Sequence, residues 1–248
     1  MTTENSGTKR RGFMAKAARF LFIAAVVLMV LATGAHFAWK YSGSNKWEKV
    51  IDKNGVTIYT LKAPGDVVQR VRGVTRVRTT MNAAVDSMMQ TSSEDCSTWF
   101  PSCKSIAAIQ PWNSQDLSYI HLFRLRARGP FDAREVLIKA RATQNPVTKA
   151  VLIDFMAMPD DLPQNDCCYR VSHMHNTWSF TPLDNGQVEV ENRMNVDMGL
   201  PYFMFNRFAP RAQYRLLHPL QKYLDNPRWQ QARYPSIQER ADVAIASK

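Results

Sequence analysis

Three histidines, four cysteines and one arginine have types and positions that invite chemistry in this chain of 248 residues. His173 and His175 stand two apart, which places both rings on one side of a strand, and His121 falls on the apolar side of another strand. His-x-His pairs on strands do hold metals, but such a site also needs further ligands and groups that orient them. The pattern supplies neither, so these histidines read as hydrogen-bonding groups in or near an interior. An enzyme reading would instead use His121 and His173 as acid and base, in a cyclase or hydrolase type of cavity. No Ser or Cys stands in a G-x-S-x-G context and no phosphate loop is present, so no catalytic residue, cofactor or metal is assigned. Cys96 and Cys103 flank a loop that could close on itself, whereas Cys167 and Cys168 are direct neighbours, which rarely bridge. Four cysteines allow three pairings, and a bridge from the Trp99 loop to the Cys167 strand is as credible as the local one.

The elements that position these groups follow from hydrophobic periodicity. In Gln187–Met198 the even positions Val188, Val190, Asn192, Met194, Val196 and Met198 oppose Glu189, Glu191, Arg193 and Asp197, so one face of a long strand is apolar and the other charged. Gly199-Leu200-Pro201 then turns the chain into a helix with Met204, Phe208, Ala212, Leu216 and Leu220 as its stripe. Val56–Leu61 and Val67–Val77 read as strands, and Thr79 or Thr80 caps a helix to about Thr91. Further strands are expected at about 103–110, 116–126, 131–144, 149–158, 168–173 and 176–183. The longer break at Pro159–Asn165 reads as a mobile flap. The sum is α+β: a curved antiparallel sheet with a long C-terminal helix on one face.

Alternation also selects a candidate lining for an interior. Tyr119, His121 and Phe123 share one side of their strand; Val136 and Ile138, Ile153 and Phe155, and Val171, His173, Trp178, Asn192 and Met194 supply the rest. Parity points Arg134 inward as well, where it needs either a polar network or a ligand head group. Arg70, Arg72, Arg76 and Arg78 share a side that reads as the solvated outer face, with Glu189 and Glu191 available as partners; docking of anionic head groups is the functional alternative. Tyr202, Phe203, Phe205 and Phe208 exceed what one buried stripe requires. With Pro210 and Pro219 weakening the helix, Phe203, Met204 and Phe208 are gate candidates, although a kinked static lid would use the same residues.

The net charge of +11 divides into +5 within residues 1–40 and +6 in the remainder, a modest excess that names no partner by itself. Phe20–Trp39 contains no acid, Lys or Arg and is about long enough to cross a bilayer. The basic cluster ahead of it (Lys9, Arg10, Arg11, Lys16, Arg19) predicts a cytoplasmic N-terminus, hence a domain on the periplasmic or extracytoplasmic side of the inner membrane. A cleaved signal peptide and a soluble periplasmic or secreted protein is the alternative, since Ala32-Thr33-Gly34 offers small residues for a cut. Residues 1–12 read as disordered. The organisation expected is a basic tail over 1–19, an anchor or signal over 20–40, a linker over 41–46, a domain over 47–226 and a C-terminal tail over 227–248.

From about Trp47 to Leu224 the chain resembles the START (StAR-related lipid-transfer) domain, a helix-grip fold of the Bet v 1-like superfamily, in an exported bacterial form. The resemblance rests on the order and spacing of several weak signals. These are Trp47 with Asn54-Gly55-Val56-Thr57-Ile58-Tyr59, Val71-Arg72-Gly73-Val74, Trp99-Phe100-Pro101, and Gly129-Pro130-Phe131-Asp132-Ala133-Arg134-Glu135. Tyr169-Arg170-Val171, Trp178-Ser179-Phe180-Thr181-Pro182 and Gly199-Leu200-Pro201 complete the series. The resemblance implies an apolar tunnel between sheet and C-terminal helix that holds a lipid or similar hydrophobic molecule, gated by loops and by the helix. It also implies a buried acid–arginine pair in sterol-binding members; the two positions fall near His121 and Ala140 here, so that pair is missing. The expected partners are a hydrophobic small molecule and a membrane, not nucleic acid, and the expected state is a monomer acting as carrier or sensor. A filled-core protein-interaction module is the remaining alternative.

Overall fold

In the computed structural model, residues 6–100, 102–126 and 129–240 are described, without the side chains of residues 6–12 and 99. Ten strands form an open sheet in the order β1-β2-β3-β10-β9-β7-β6-β5-β4, with β8 beside β6. They are β1 (Trp47–Lys53), β2 (Val56–Leu61), β3 (Arg70–Val77), β4 (Cys103–Asn113), β5 (Ser118–Leu125), β6 (Ala133–Gln144), β7 (Val151–Ala157), β8 (Cys168–Arg170), β9 (His173–Pro182) and β10 (Val188–Asp197). All neighbours along the path are antiparallel; β8 alone pairs in parallel, with residues 133–135 of β6 beyond the point where β7 ends. The expected α+β architecture is what the chain adopts.

Among the described residues six helices accompany the sheet: α1 (Ser6–Tyr41), α2 (Met81–Met89), α3 (Ser93–Trp99), α4 (Tyr202–Leu217), α5 (Leu220–Leu224) and α6 (Pro227–Gln230). Thr80 caps α2 through a hydrogen bond to the Ala83 amide. The segment before Phe100, expected as a loop, is helical because Ser92 and Asp95 close a reciprocal capping box. α4 lies against β3, β2 and β1, while α2 approaches β7 and β9 and packs on α5 and α6. Gly73 of β3 makes the close approach of α4 possible, since a Cβ there would strike Leu217, Ile58 and Gln213.

The apolar stripe of α4 is rotated by one residue from the expected set. Phe205, Ala209, Gln213 and Leu217 face the sheet, whereas Phe208 and Ala212 are exposed and Met204 and Leu216 only half-buried. The helix also breaks at His218-Pro219 before α5, whose Leu220 and Leu224 return to the core. Beyond Asn226 the chain is no loose tail through residue 240: Trp229 and Ile237 are buried, and the Glu239 carboxylate accepts from the Met81 and Asn82 amides at the start of α2. Residues 241–248 of the expected tail lie outside the described residues.

α1 is one continuous helix of 36 residues, so the basic stretch from Lys9 to Arg11 is helical rather than disordered; residues 1–5 lie outside the described set. Within its Phe13–Tyr41 portion the most apolar stretch of 18 residues has a mean hydropathy of 2.3, and the length and composition fit either a membrane span or a signal sequence. The expected linker after it is pinned. The Lys62 ammonium donates to the carbonyls of Lys40 and Ser42, and the Asn45 amide donates to Lys62.

Candidate ligand-binding site

The register of the sheet settles which side chains face the helices. Across the inner face one row reads Tyr119, Ala140, Phe155, Asn176, Met194 and Val71, and the next reads Ala142, Ile153, Trp178, Asn192, Gly73 and Ile58. A third contains His121 and Ile138 opposite Ala157. Tyr119, His121, Val136, Ile138, Ile153, Phe155, Val171, Trp178 and Asn192 are all buried. Phe123 and Met194 are half-buried.

Burial along this face is uneven. At one end Val151, Ile153, Phe180, Val188 and Val190 are fully buried, with α2 against β7 and β9. At the other end Phe123, Met174, Asn176, Met194 and Met198 face the same interior yet keep solvent contact. This wet end is where β10 runs out into the Met198–Pro201 turn and α4 begins. The loop joining β2 to β3 and the loop joining β7 to β8 reach the same end of the sheet. Phe203 and Phe208, on the first two turns of α4, are 66% and 54% exposed. Of the gate candidates, these two therefore present apolar surface outward and Met204 is half-buried.

The end of α1 docks at this same end of the domain. The Trp39 indole donates to the Val67 carbonyl at 2.9 Å and stacks on Tyr202, the first residue of α4, at 6.4 Å and 11°. His36 meets the same tyrosine edge-on at 5.6 Å. On the α4 side, Asn206 accepts from the Gln69 amide and donates to Val67. The two helices thus share one loop.

Two polar groups occupy the interior. Tyr119 and His121 stack at 3.9 Å with an 18° interplanar angle, and neither the hydroxyl nor the imidazole has a hydrogen-bond partner among the described residues. Burial holds the His121 imidazole down at about 4 and pushes the Tyr119 hydroxyl well above its ordinary range, so both are neutral at pH 7. Further along, Gln213 of α4 donates to Asn192 Oδ1 at 2.5 Å, and Asn192 donates to Asn176 and to the Thr177 carbonyl. Gln213 Oε1 is buried with no partner. Gln213 escapes a search for apolar spacing because it is the polar member of the inward stripe.

Several expectations change at this point. His173 is exposed on the outer face, because β9 runs 173–182 and its inward residues are Met174, Asn176, Trp178 and Phe180. The expected acid–base pair of His121 and His173 is therefore split by the sheet. His175 also faces outward, 3.0 Å from Asp154. Arg134 meets neither an acid nor an open space: its guanidinium donates to the carbonyls of Asp132, Met198 and Gly199 and lies over the rings of Phe131 and Tyr169. It fastens β6 to the turn that starts α4. Tyr169 completes this fastening, since Gly199 adopts φ +61° and leaves no room for a Cβ against the ring.

The four candidate cysteines pair as Cys96–Cys103 and as Cys167–Cys168, so the direct neighbours do bridge and no cross-link joins the two regions. Both sulfurs of the second pair approach the Glu135 carboxylate within 4.8 Å, but they are committed to the disulfide and the carboxylate to Arg170 and Asn165. Burial alone would raise the Glu135 carboxyl. The hydrogen bonds from Arg170 and Asn165, and the guanidinium charge, outweigh it and hold the group below its ordinary value. The expected flap is tied down by the same arginine, which donates to the carbonyls of Pro159, Leu162 and Pro163. The outer arginines pair as anticipated, Arg72 with Glu191 at 2.6 Å and Arg76 with Glu189 at 3.2 Å.

No family model matches the sequence, and no curated protein is similar to it. Solved structures are. A STAR-related lipid transfer protein from Xanthomonas axonopodis superposes with a TM-score of 0.64 at 18% identity, covering 72% of this chain and 98% of that one. The lipid transfer and protein localization domain of human StarD13 gives 0.62 at 8% identity over 81% and 97% of the two chains. Human StAR-related lipid transfer protein 5 gives 0.59 at 15% identity over 83% and 98%. At these identities the likeness is one of fold, and the fold is the START-type helix-grip.

Proposed function

We propose that this chain is a membrane-anchored carrier or sensor that takes an apolar, lipid-type molecule between the inner face of its sheet and α4. One coincidence carries the reading. Half-wet interior side chains, exposed phenylalanines on α4 and the docked end of the apolar helix α1 all meet at the same end of the domain. An opening held there would face a bilayer directly, so a lipid would pass from membrane to protein without crossing much water. The likeness to structures described as lipid transfer domains supports the same class of ligand. Uptake needs no bond chemistry. Burying about 300 Å2 of acyl or ring surface would contribute roughly 7 kcal/mol, in the range of micromolar binding before ordering costs.

In this reading α1 spans the cytoplasmic membrane, with Lys9, Arg10, Arg11, Lys16 and Arg19 on the cytoplasmic side and the domain outside. Two disulfides among the described residues suit that oxidising location. Native mass spectrometry of the full chain, released from mild detergent, tests the proposal. A co-purifying apolar adduct, exchangeable for an added pyrenyl alkane, is expected. A chain that carries no adduct and takes up no pyrenyl alkane would refute it.

A further inference from the structure

The two disulfides differ in what they can do for the fold. Cys96–Cys103 joins residues seven apart between α3 and β4, and both cysteines are buried. It closes a loop of chain, which is how a disulfide narrows the unfolded ensemble. Cys167–Cys168 closes none: its residues are neighbours, already held together by their shared peptide bond. The bond therefore adds little to stability by that route. It is also open to attack, since Cys167 is exposed while Cys168 is buried. An accessible disulfide that constrains no loop is the kind that exchanges with external thiols.

The place of this bond in the sheet gives such an exchange a consequence. Cys168 is the first residue of β8, a strand of three residues whose ladder among the described residues is the parallel one with residues 133–135 of β6. Tyr169 follows directly. Its ring lies under the Arg134 guanidinium and fills the space beside Gly199, while Arg134 donates to the Met198 and Gly199 carbonyls. The turn into α4 thus leans on the residue next to the disulfide. We propose that Cys167–Cys168 is a redox modification site, opened at Cys167 by an external dithiol, whose opening loosens β8 and with it the start of α4. A thiolate of the dithiol attacks Cys167 Sγ, the S–S bond breaks, and Cys168 leaves as a thiolate that takes up the proton the attacking thiol gave to water. The second thiol of the reagent then displaces Cys167, so the chain gains two electrons and two protons as the dithiol becomes a disulfide. The Glu135 carboxylate lies within 4.8 Å of both sulfurs, yet it does not oppose the departing thiolate. Arg170 bonds it at 2.6 Å, and Arg124 Nε stands 3.9 Å away on its other side. The inference needs no bound cargo and stands apart from the carrier reading.

The test treats the full chain in mild detergent with increasing dithiothreitol, traps thiols with N-ethylmaleimide and maps them by peptide mass spectrometry. Cys167 and Cys168 are expected to become labelled at a dithiol concentration about ten-fold lower than Cys96 and Cys103. Where only the first pair is open, amide hydrogen exchange in residues 169–171 and 199–205 should accelerate about three-fold or more, with β9 and β10 unchanged. Cys167→Ser with Cys168→Ser should show the same fast exchange without reductant, and removing the dithiol in air should restore slow exchange in the unaltered chain. Both pairs opening together, or free thiols at 167 and 168 before any reductant is added, overturns the proposal. So does selective opening that leaves exchange at 199–205 unchanged. The labelling and exchange measurements need no variant, so they decide the matter even if the double substitution does not fold.

Discussion

Replacing Glu135 with glutamine removes one charge from the most deeply buried ion pair described in the domain and leaves its volume unchanged. Glu135 is fully buried and Arg170 is 7% exposed; the guanidinium bonds the carboxylate at 2.6 and 2.9 Å. Breaking a buried pair from one side costs about 3–5 kcal/mol, because the surviving charge is left uncompensated. For a domain of this size each kcal/mol moves the melting temperature by roughly 2–4 °C, so E135Q should melt about 6–20 °C below the parent. E189Q is the control: its partner Arg76 is largely exposed, and loss of such a pair costs at most about 1 kcal/mol. Intrinsic tryptophan fluorescence of the full chain in detergent reads both. The pH dependence carries a definite sign. Glu135 titrates lower in the folded state than in the unfolded one, so its contribution is complete at neutral pH and disappears as pH falls through the depressed folded value. The melting gap between parent and E135Q should therefore narrow on acidification. An E135Q melting temperature within 2 °C of the parent at pH 7, or a gap that widens in acid, would refute the reasoning.

Two further outcomes follow from the contacts around the start of α4. W39A removes the indole that bonds Val67 and stacks on Tyr202, so amide hydrogen exchange in the first two turns of α4 should accelerate while the β9–β10 amides stay protected; unchanged exchange in α4 would show that the docking is inert. G199A must place a Cβ where Tyr169 lies and hold a positive φ, which should destabilise by more than about 1 kcal/mol. Adding Y169A should return part of that loss, which a double-mutant cycle of melting temperatures checks.

Much of this architecture is legible in the chain because a two-residue period survives without knowledge of contacts. The alternation in β5, β6, β7 and β10 places Tyr119, Ile138, Phe155 and Asn192 on the covered face, as the register does. Errors arise where a local pattern has two phases. In α4 the series beginning at Met204 and the series beginning at Phe205 both recur every four residues, and the buried one includes Gln213. Its burial depends on Asn192, which is distant in sequence, so the uniformly apolar series looks better locally and is the wrong one. For His173 the phase is lost at Val171-Ser172, where β8 ends and β9 restarts with opposite parity. The docking of Trp39 on Tyr202 spans more than 160 positions, and no periodicity encodes it. The Ser92–Asp95 capping box was readable, and it marks a helix where a loop was expected.

The tethering of Lys40 and Ser42 by Lys62 has a mechanical result. The short segment between the apolar helix and β1 is tied to Lys62 at Ser42 and Asn45, and the aromatic stack continues into the first turn of α4. With α1 in a bilayer, any change in its inclination, whether from lipid thickness or from lateral pressure, would act on Tyr202 as torque at the start of α4. Loading and discharge would then answer to the physical state of the surrounding membrane as well as to the concentration of cargo.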